Sequence, residues 1–135
     1  MKITLAITGL AIELVTAGCG QSRTVSVRGQ VIWDDGTPAS DLVGYTVEST
    51  APGSTVSARG DIGADGRFTM STFVEGDGTE PGTHQVSIAP IPRGETDPPP
   101  KVKLPARYAN AQKSGLTFTV ERGKTNDVKL TVSRK

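Results

Sequence analysis

Cys19 is the only cysteine in the chain and His84 the only histidine, which bounds the available chemistry before any fold is considered. A lone thiol forms no internal disulfide, and one Cys with one His cannot supply the clustered ligands of a zinc site. Nucleophilic catalysis of the Ser-His-acid or Cys-His kind needs a base held beside its nucleophile. His84 shares the parity of Val86 and Ile88, so the residue is expected as a partly buried strand position filled in place of an aromatic rather than as that base. Cys19 stands in a different setting. Thr16, Ala17 and Gly18 precede it, and upstream lie Lys2 and the apolar run Ile3 to Ile12, the order of a secretory leader that ends at a small-residue cleavage site. The run falls short of the about 20 apolar residues that a spanning helix requires, and Glu13 interrupts it. The expected chemistry at Cys19 is therefore attachment of a lipid, which places the mature protein outside the cytoplasm and against a membrane.

Two further chemistries depend on where loops and rings fall. Asp34, Asp35, Asp61, Asp65 and Asp77 lie in or beside expected turns, where their oxygens would suit calcium if the loops share one end of the domain. Aspartate before glycine is also the ordinary composition of a β-turn, and no EF-hand loop is present. No metal and no cofactor is expected, with a calcium-stabilised accessory domain kept as a lesser alternative. Sugar stacking on exposed rings would draw on Trp33, Tyr45, Phe73 and Tyr108. Trp33 and Tyr45 share parity with core valines, whereas Phe73 is opposite in parity to Phe68 and Met70 and is expected at the surface.

The elements that position these groups follow from composition and periodicity. Without residues 1–18 the chain keeps 117 of its 135 residues and a net charge of +1, enough for one domain and too balanced to attract nucleic acid. Sixteen Gly, nine Pro and 4% aromatics describe many turns around a core of branched aliphatics. From Thr24 onward apolar residues recur at every second position, the period of a half-buried strand. Val25, Val27, Val31 and Trp33 form one such set; Val43, Tyr45 and Val47 the next; then Val56, Ala58 and Ile62; Phe68 and Met70; Val86 and Ile88; Leu116, Phe118 and Val120; Val128, Leu130 and Val132. About seven short strands result, the pattern of an all-β, antiparallel, two-sheet sandwich of immunoglobulin-like type. The organisation expected is a leader over 1–18, a tether over 19–23 and the sandwich over 24–135.

Turn chemistry separates the strands. Asp34-Asp35-Gly36-Thr37-Pro38, Ala64-Asp65-Gly66 and Gly123-Lys124-Thr125-Asn126 combine side chains that bond locally to backbone with glycine. One connection is long: from Pro92 to Gly115 there is no clear strand, Pro98-Pro99-Pro100 enforces extended geometry, and a helical turn is expected near Tyr108. A stiff crossover between sheets is the simpler reading of it, a recognition loop the other.

Several of these stretches, taken in order, resemble a known family. Val27-Arg28-Gly29-Gln30-Val31 with Asp35-Gly36-Thr37-Pro38, then Ala64-Asp65-Gly66-Arg67-Phe68-Thr69, then Pro81-Gly82-Thr83-His84-Gln85-Val86-Ser87-Ile88 resemble the opening hairpin, the "D-x-x-G-x-F" turn and the "P-G-x-Y-x-V-x-V" strand of carboxypeptidase regulatory-like domains, which are transthyretin-like (prealbumin-like) sandwiches. Gly76-Asp77-Gly78, Pro105-Ala106-Arg107-Tyr108 and Ser114-Gly115-Leu116 are similar to a group of short bacterial lipoproteins made of a leader and one such domain. Val15-Thr16-Ala17-Gly18-Cys19 resembles the lipoprotein lipobox, with Thr16 where that family usually has leucine. Gly20, where proteins retained at the inner membrane often carry aspartate, points to onward transport to an outer membrane. The resemblance implies a non-catalytic envelope module. Related sandwiches that hydrolyse a urate-derived substrate use several histidines and a Tyr-Arg-Gly-Ser run, neither of which this sequence contains.

The expected partners are thus the membrane, through the N-terminal lipid, and an envelope protein or glycan. A protein would dock on a free sheet edge or on an apolar patch formed by Phe73, Leu104 and Tyr108; a carbohydrate-binding module is the alternative function.

Overall fold

The computed structural model describes residues 22–135, so Cys19 and the leader expected over 1–18 lie outside the described residues. Seven strands form: β1 (Val27–Trp33), β2 (Tyr45–Thr50), β3 (Ala58–Asp61), β4 (Arg67–Thr69), β5 (Gly82–Pro90), β6 (Leu116–Val120) and β7 (Asn126–Val132). They make a three-stranded sheet in the order β4-β1-β7 and a four-stranded sheet in the order β3-β2-β5-β6, packed face to face as a β-sandwich. Alternation explains the facing. Val27, Val31, Trp33, Tyr45, Val47, Phe68, Val86, Ile88, Phe118, Val120, Leu130 and Val132 point inward and are buried, while the threonines and charged residues between them face water.

The pairing departs from an all-antiparallel arrangement at one place. β1 runs parallel to β7, from Val27 beside Asn126 to Trp33 beside Val132. Strand order explains this: β6 delivers the chain to the flank of the other sheet, and the short turn 121–125 starts β7 at the end where β1 also begins. Five expected strand residues fall outside the strands: Val25, Ile62 and Met70 lie just beyond strand ends, and Val43 and Val56 lie in connections. Val43 sits in the turn before β2 and is 47% exposed, and Val56 lies in the loop ahead of β3, half-buried. A 3-10 turn at Ser40–Leu42 buries Leu42. A second, Ala106–Ala109, is the helical turn expected around Tyr108.

The topology gives the sandwich two distinct ends. Residues 22–26, 51–57, 70–81 and 121–125 cluster at the end where the described chain begins. The turns 34–44 and 62–66, the long connection 91–115 and the C-terminus share the opposite end. At one flank main-chain bonds stitch the sheets together: Arg59 and Ser71 exchange N–H···O bonds of 2.9 and 2.8 Å, and Gly63 N–H donates to Arg67 O at 2.7 Å. The β6/β7 flank is joined at its turn, where Asn126 Oδ1 accepts from Glu121 N–H at 3.1 Å.

Candidate functional site

At the end where the chain enters, the loop between β4 and β5 folds around one carboxylate. Asp77 accepts backbone N–H bonds from Thr72 at 2.6 Å, Phe73 at 3.0 Å and Val74 at 3.3 Å, so three successive amides are satisfied without a helix or strand. Gly76 N–H donates to Ser71 Oγ at 2.7 Å, and Thr72 Oγ1–H donates to Gly78 O at 2.6 Å. Met70, fully buried, roots one side of the loop, and the Val25–Thr79 bridge roots the other. This frame displays an apolar pair, Phe73 at 54% and Val74 at 67% exposure, followed by the exposed Glu75. Arg23 lies over the Phe73 ring at 5.2 Å and pairs with Glu80 at 2.8 Å, while Arg122 holds Ser22 O at 2.6 Å.

Burial pushes the Asp77 carboxyl up, but the bonds from Thr72, Phe73 and Val74 together outweigh it and hold the group below its ordinary 3.8. A folded value below the unfolded one means that stabilisation is complete above the ordinary value and is lost as pH falls through the folded value. Asp77→Ala is expected to cost about 1 kcal/mol, by analogy with loss of a capping carboxylate. Urea unfolding should show that difference at neutral pH and show it closing under acid, with faster amide exchange at Phe73 and Val74 in the variant.

The groups singled out by chemistry are scattered rather than assembled. Phe73 belongs to the entering end, whereas Leu104 and Tyr108 lie in the long connection at the other end and are 7% and 4% exposed. The three form no common patch. The reason is hydrogen bonding across the fold: Tyr108 Oη accepts from Ser133 N–H at 2.8 Å, and Tyr45 Oη donates to Val102 O at 2.8 Å while accepting from Leu104 N–H at 3.1 Å. These bonds and the burial they accompany make 102–108 an ordered, packed excursion. Trp33 and Tyr45 are core residues at 1% and 3% exposure, so Phe73 is the one exposed ring among the four considered for sugar stacking.

His84 is 3% exposed and stacks on Phe118 with ring centres 5.2 Å apart. Its Nε2 lies 2.7 Å from Glu80 O, so that nitrogen carries the proton, since a carbonyl only accepts. Nδ1 has no partner and is enclosed, out of reach of a dissolved substrate. The aspartates also serve locally. Asp35 accepts from Thr37 N–H at 2.9 Å, Asp65 pairs with Arg67 at 3.5 Å, and Asp77 stands at the opposite end from the other four. Among the described residues no three His, Cys, Asp or Glu side chains gather as a metal-holding group.

An open groove of about 700 Å³ runs beside the stitched flank, lined by Arg59, Asp61, Arg67, Phe68, Ser71 and Glu75 among others. Its cations are already engaged, Arg59 with Glu48 at 3.1 Å and Arg67 with Asp65. The groove offers mixed charge without a selective donor set. Sequence reasoning found Phe73 through its parity but missed Val74 and Arg23. The adjacent Phe-Val pair in a glycine-rich turn was the available signal, while the approach of Arg23 depends on the Val25–Thr79 bridge.

Compared with protein-family models, curated proteins and solved structures, the chain matches none of them.

Proposed function

We propose that this protein is a lipid-anchored, non-catalytic module of the cell envelope, resembling the carboxypeptidase regulatory-like lipoproteins, that serves protein interaction or structure at a membrane surface. The observation that carries this reading is the join between address and body: Val15-Thr16-Ala17-Gly18-Cys19 is followed by a tether of only four residues before Thr24, where burial in the sandwich begins. A diacylated cysteine supplies the two-chain signal that stable anchoring takes. Two further features favour binding over catalysis: the single histidine is enclosed, and Asp35, Asp65 and Asp77 are engaged in local bonds. The strand-edge mode of partner binding fits the β6/β7 flank, where the edge strands of the two sheets lie side by side.

Cys19→Ser is expected to move the protein from the membrane fraction to the soluble fraction. Intact mass should show the wild-type N-terminus beginning at acylated Cys19 and the variant without acyl mass. Wild-type protein that retains Met1, or whose Cys19 carries no lipid, would end this reading.

A further inference from the structure

We propose that Phe73 and Val74 form a second, non-covalent foot that enters the headgroup region of a lipid bilayer, so that the sandwich stands on its entering end. This rests on the lipid-anchor reading and adds to it an orientation and a contact. Cys19 precedes Arg23 by four residues, which span at most about 14 Å when fully extended. Arg23 itself sits over the Phe73 ring at 5.2 Å. Any lipid on Cys19 therefore brings a bilayer within reach of this tip. The tip also has the right chemistry, since Phe73 and Val74 are adjacent, apolar and exposed, and a ring beside a guanidinium suits the boundary between acyl chains and headgroups.

The frame beneath the tip is already ordered. Three amides of Thr72, Phe73 and Val74 are bonded to Asp77, so insertion exposes no unsatisfied N–H from these residues and orders little further chain. Two apolar residues bind a bilayer weakly by themselves, but the tether makes the contact intramolecular. Charge plays little part. Arg23 is paired with Glu80 and Lys124 with Glu121, and the charge of Arg122, bonded to Ser22 O, is offset by exposed Glu75 beside the tip, so the contact is expected to survive high salt, unlike a polybasic one. The consequence is directional: the connection 91–115, the C-terminus and the far end of the β6/β7 flank face away from the membrane, toward partners.

The test uses the full-length, membrane-extracted protein. With Cys19 acylated, Glu75→Cys supplies a single free thiol at the tip and Glu95→Cys one at the opposite end; each is labelled with an environment-sensitive fluorophore. The proteins are reconstituted into phosphatidylethanolamine/phosphatidylglycerol vesicles with nitroxide-labelled acyl chains. Quenching about threefold stronger at position 75 than at 95 is expected for a probe near the acyl boundary, unchanged in high salt and lost when Phe73→Ser and Val74→Ser are added with the dichroism spectrum unaltered. Vesicle-bound protein with equal or absent quenching at both positions would overturn the foot and leave the anchor standing. Protein that fails to float with vesicles and carries no acyl mass would overturn both. Shielding of position 75 that appears without vesicles and rises with protein concentration would assign the tip to a second copy of the chain and overturn the bilayer contact.

Discussion

Gly78→Ala is expected to destabilise the domain by about 3 kcal/mol or more, a large share of the 5–15 kcal/mol that holds a typical domain folded. Gly78 has φ +89°, and a Cβ built there would lie 1.7 Å from Val25 O and 2.4 Å from Val25 C. Those are backbone atoms, so no side-chain rotation relieves the overlap. The chain must instead surrender the paired bonds between Val25 and Thr79, of 2.8 and 3.0 Å, that seat the entering segment on the β4–β5 loop. The unfavourable dihedral adds about 1–3 kcal/mol of its own. Gly76 separates the two causes, because it has φ +75° with nothing within 4 Å of its would-be Cβ. Gly76→Ala should therefore cost about 1 kcal/mol, from backbone strain alone. Urea unfolding followed by circular dichroism reads both variants; a Gly78→Ala midpoint equal to that of Gly76→Ala would show that the close approach to Val25 is not maintained.

Trp33→Ala is expected to cost about 3–5 kcal/mol, the range for emptying a large aromatic site in a core. The ring is 1% exposed at the end of β1, where the sheet meets the 3-10 turn Ser40–Leu42. Its Nε1–H donates to Asp41 Oδ1 at 2.9 Å, and Arg134 covers the ring at 3.9 Å while reaching Asp41 Oδ2 at 3.5 Å. The side chain thus joins β1, the 3-10 turn and the C-terminal segment. Trp33→Phe keeps most of the apolar volume and deprives Asp41 of its N–H partner, so its cost should be only about 1 kcal/mol. Because Trp33 is the only tryptophan, its emission in the wild type reports this junction directly: a blue-shifted spectrum that turns red on unfolding is expected. An alanine variant within about 0.5 kcal/mol of wild type, the usual range for a surface substitution, would contradict burial of the ring.

Much of the fold was legible because alternation is a local property. Val27, Val31 and Trp33, or Leu116, Phe118 and Val120, declare their inward face through spacing alone, and all six are buried. His84 kept the parity of Val86 and Ile88 and lies inward with them. Val43 illustrates where the rule ends: it matches Tyr45 and Val47 in parity, yet the backbone turns at Gly44, φ +99°, before the strand begins. The candidate site was half legible. Phe73 is exposed as its parity suggests, but Leu104 and Tyr108, grouped with it by apolarity and loop position, are enclosed by bonds to Tyr45 and Ser133. Those partners are 59 and 25 residues away, and no local pattern announces them.

Residue order alone settled which side chains of each strand seek water, how many strands there are and where the lone cysteine and histidine stand, because side-chain direction in a strand alternates whatever its neighbours are. It left open the parallel seating of β7 beside β1, the division of loops between two ends and the gathering of Arg23, Phe73 and Val74 at one of them. Those arrangements arise from contacts between distant segments, in which the burial of one sheet face against another selects among pairings that the same alternation permits equally well.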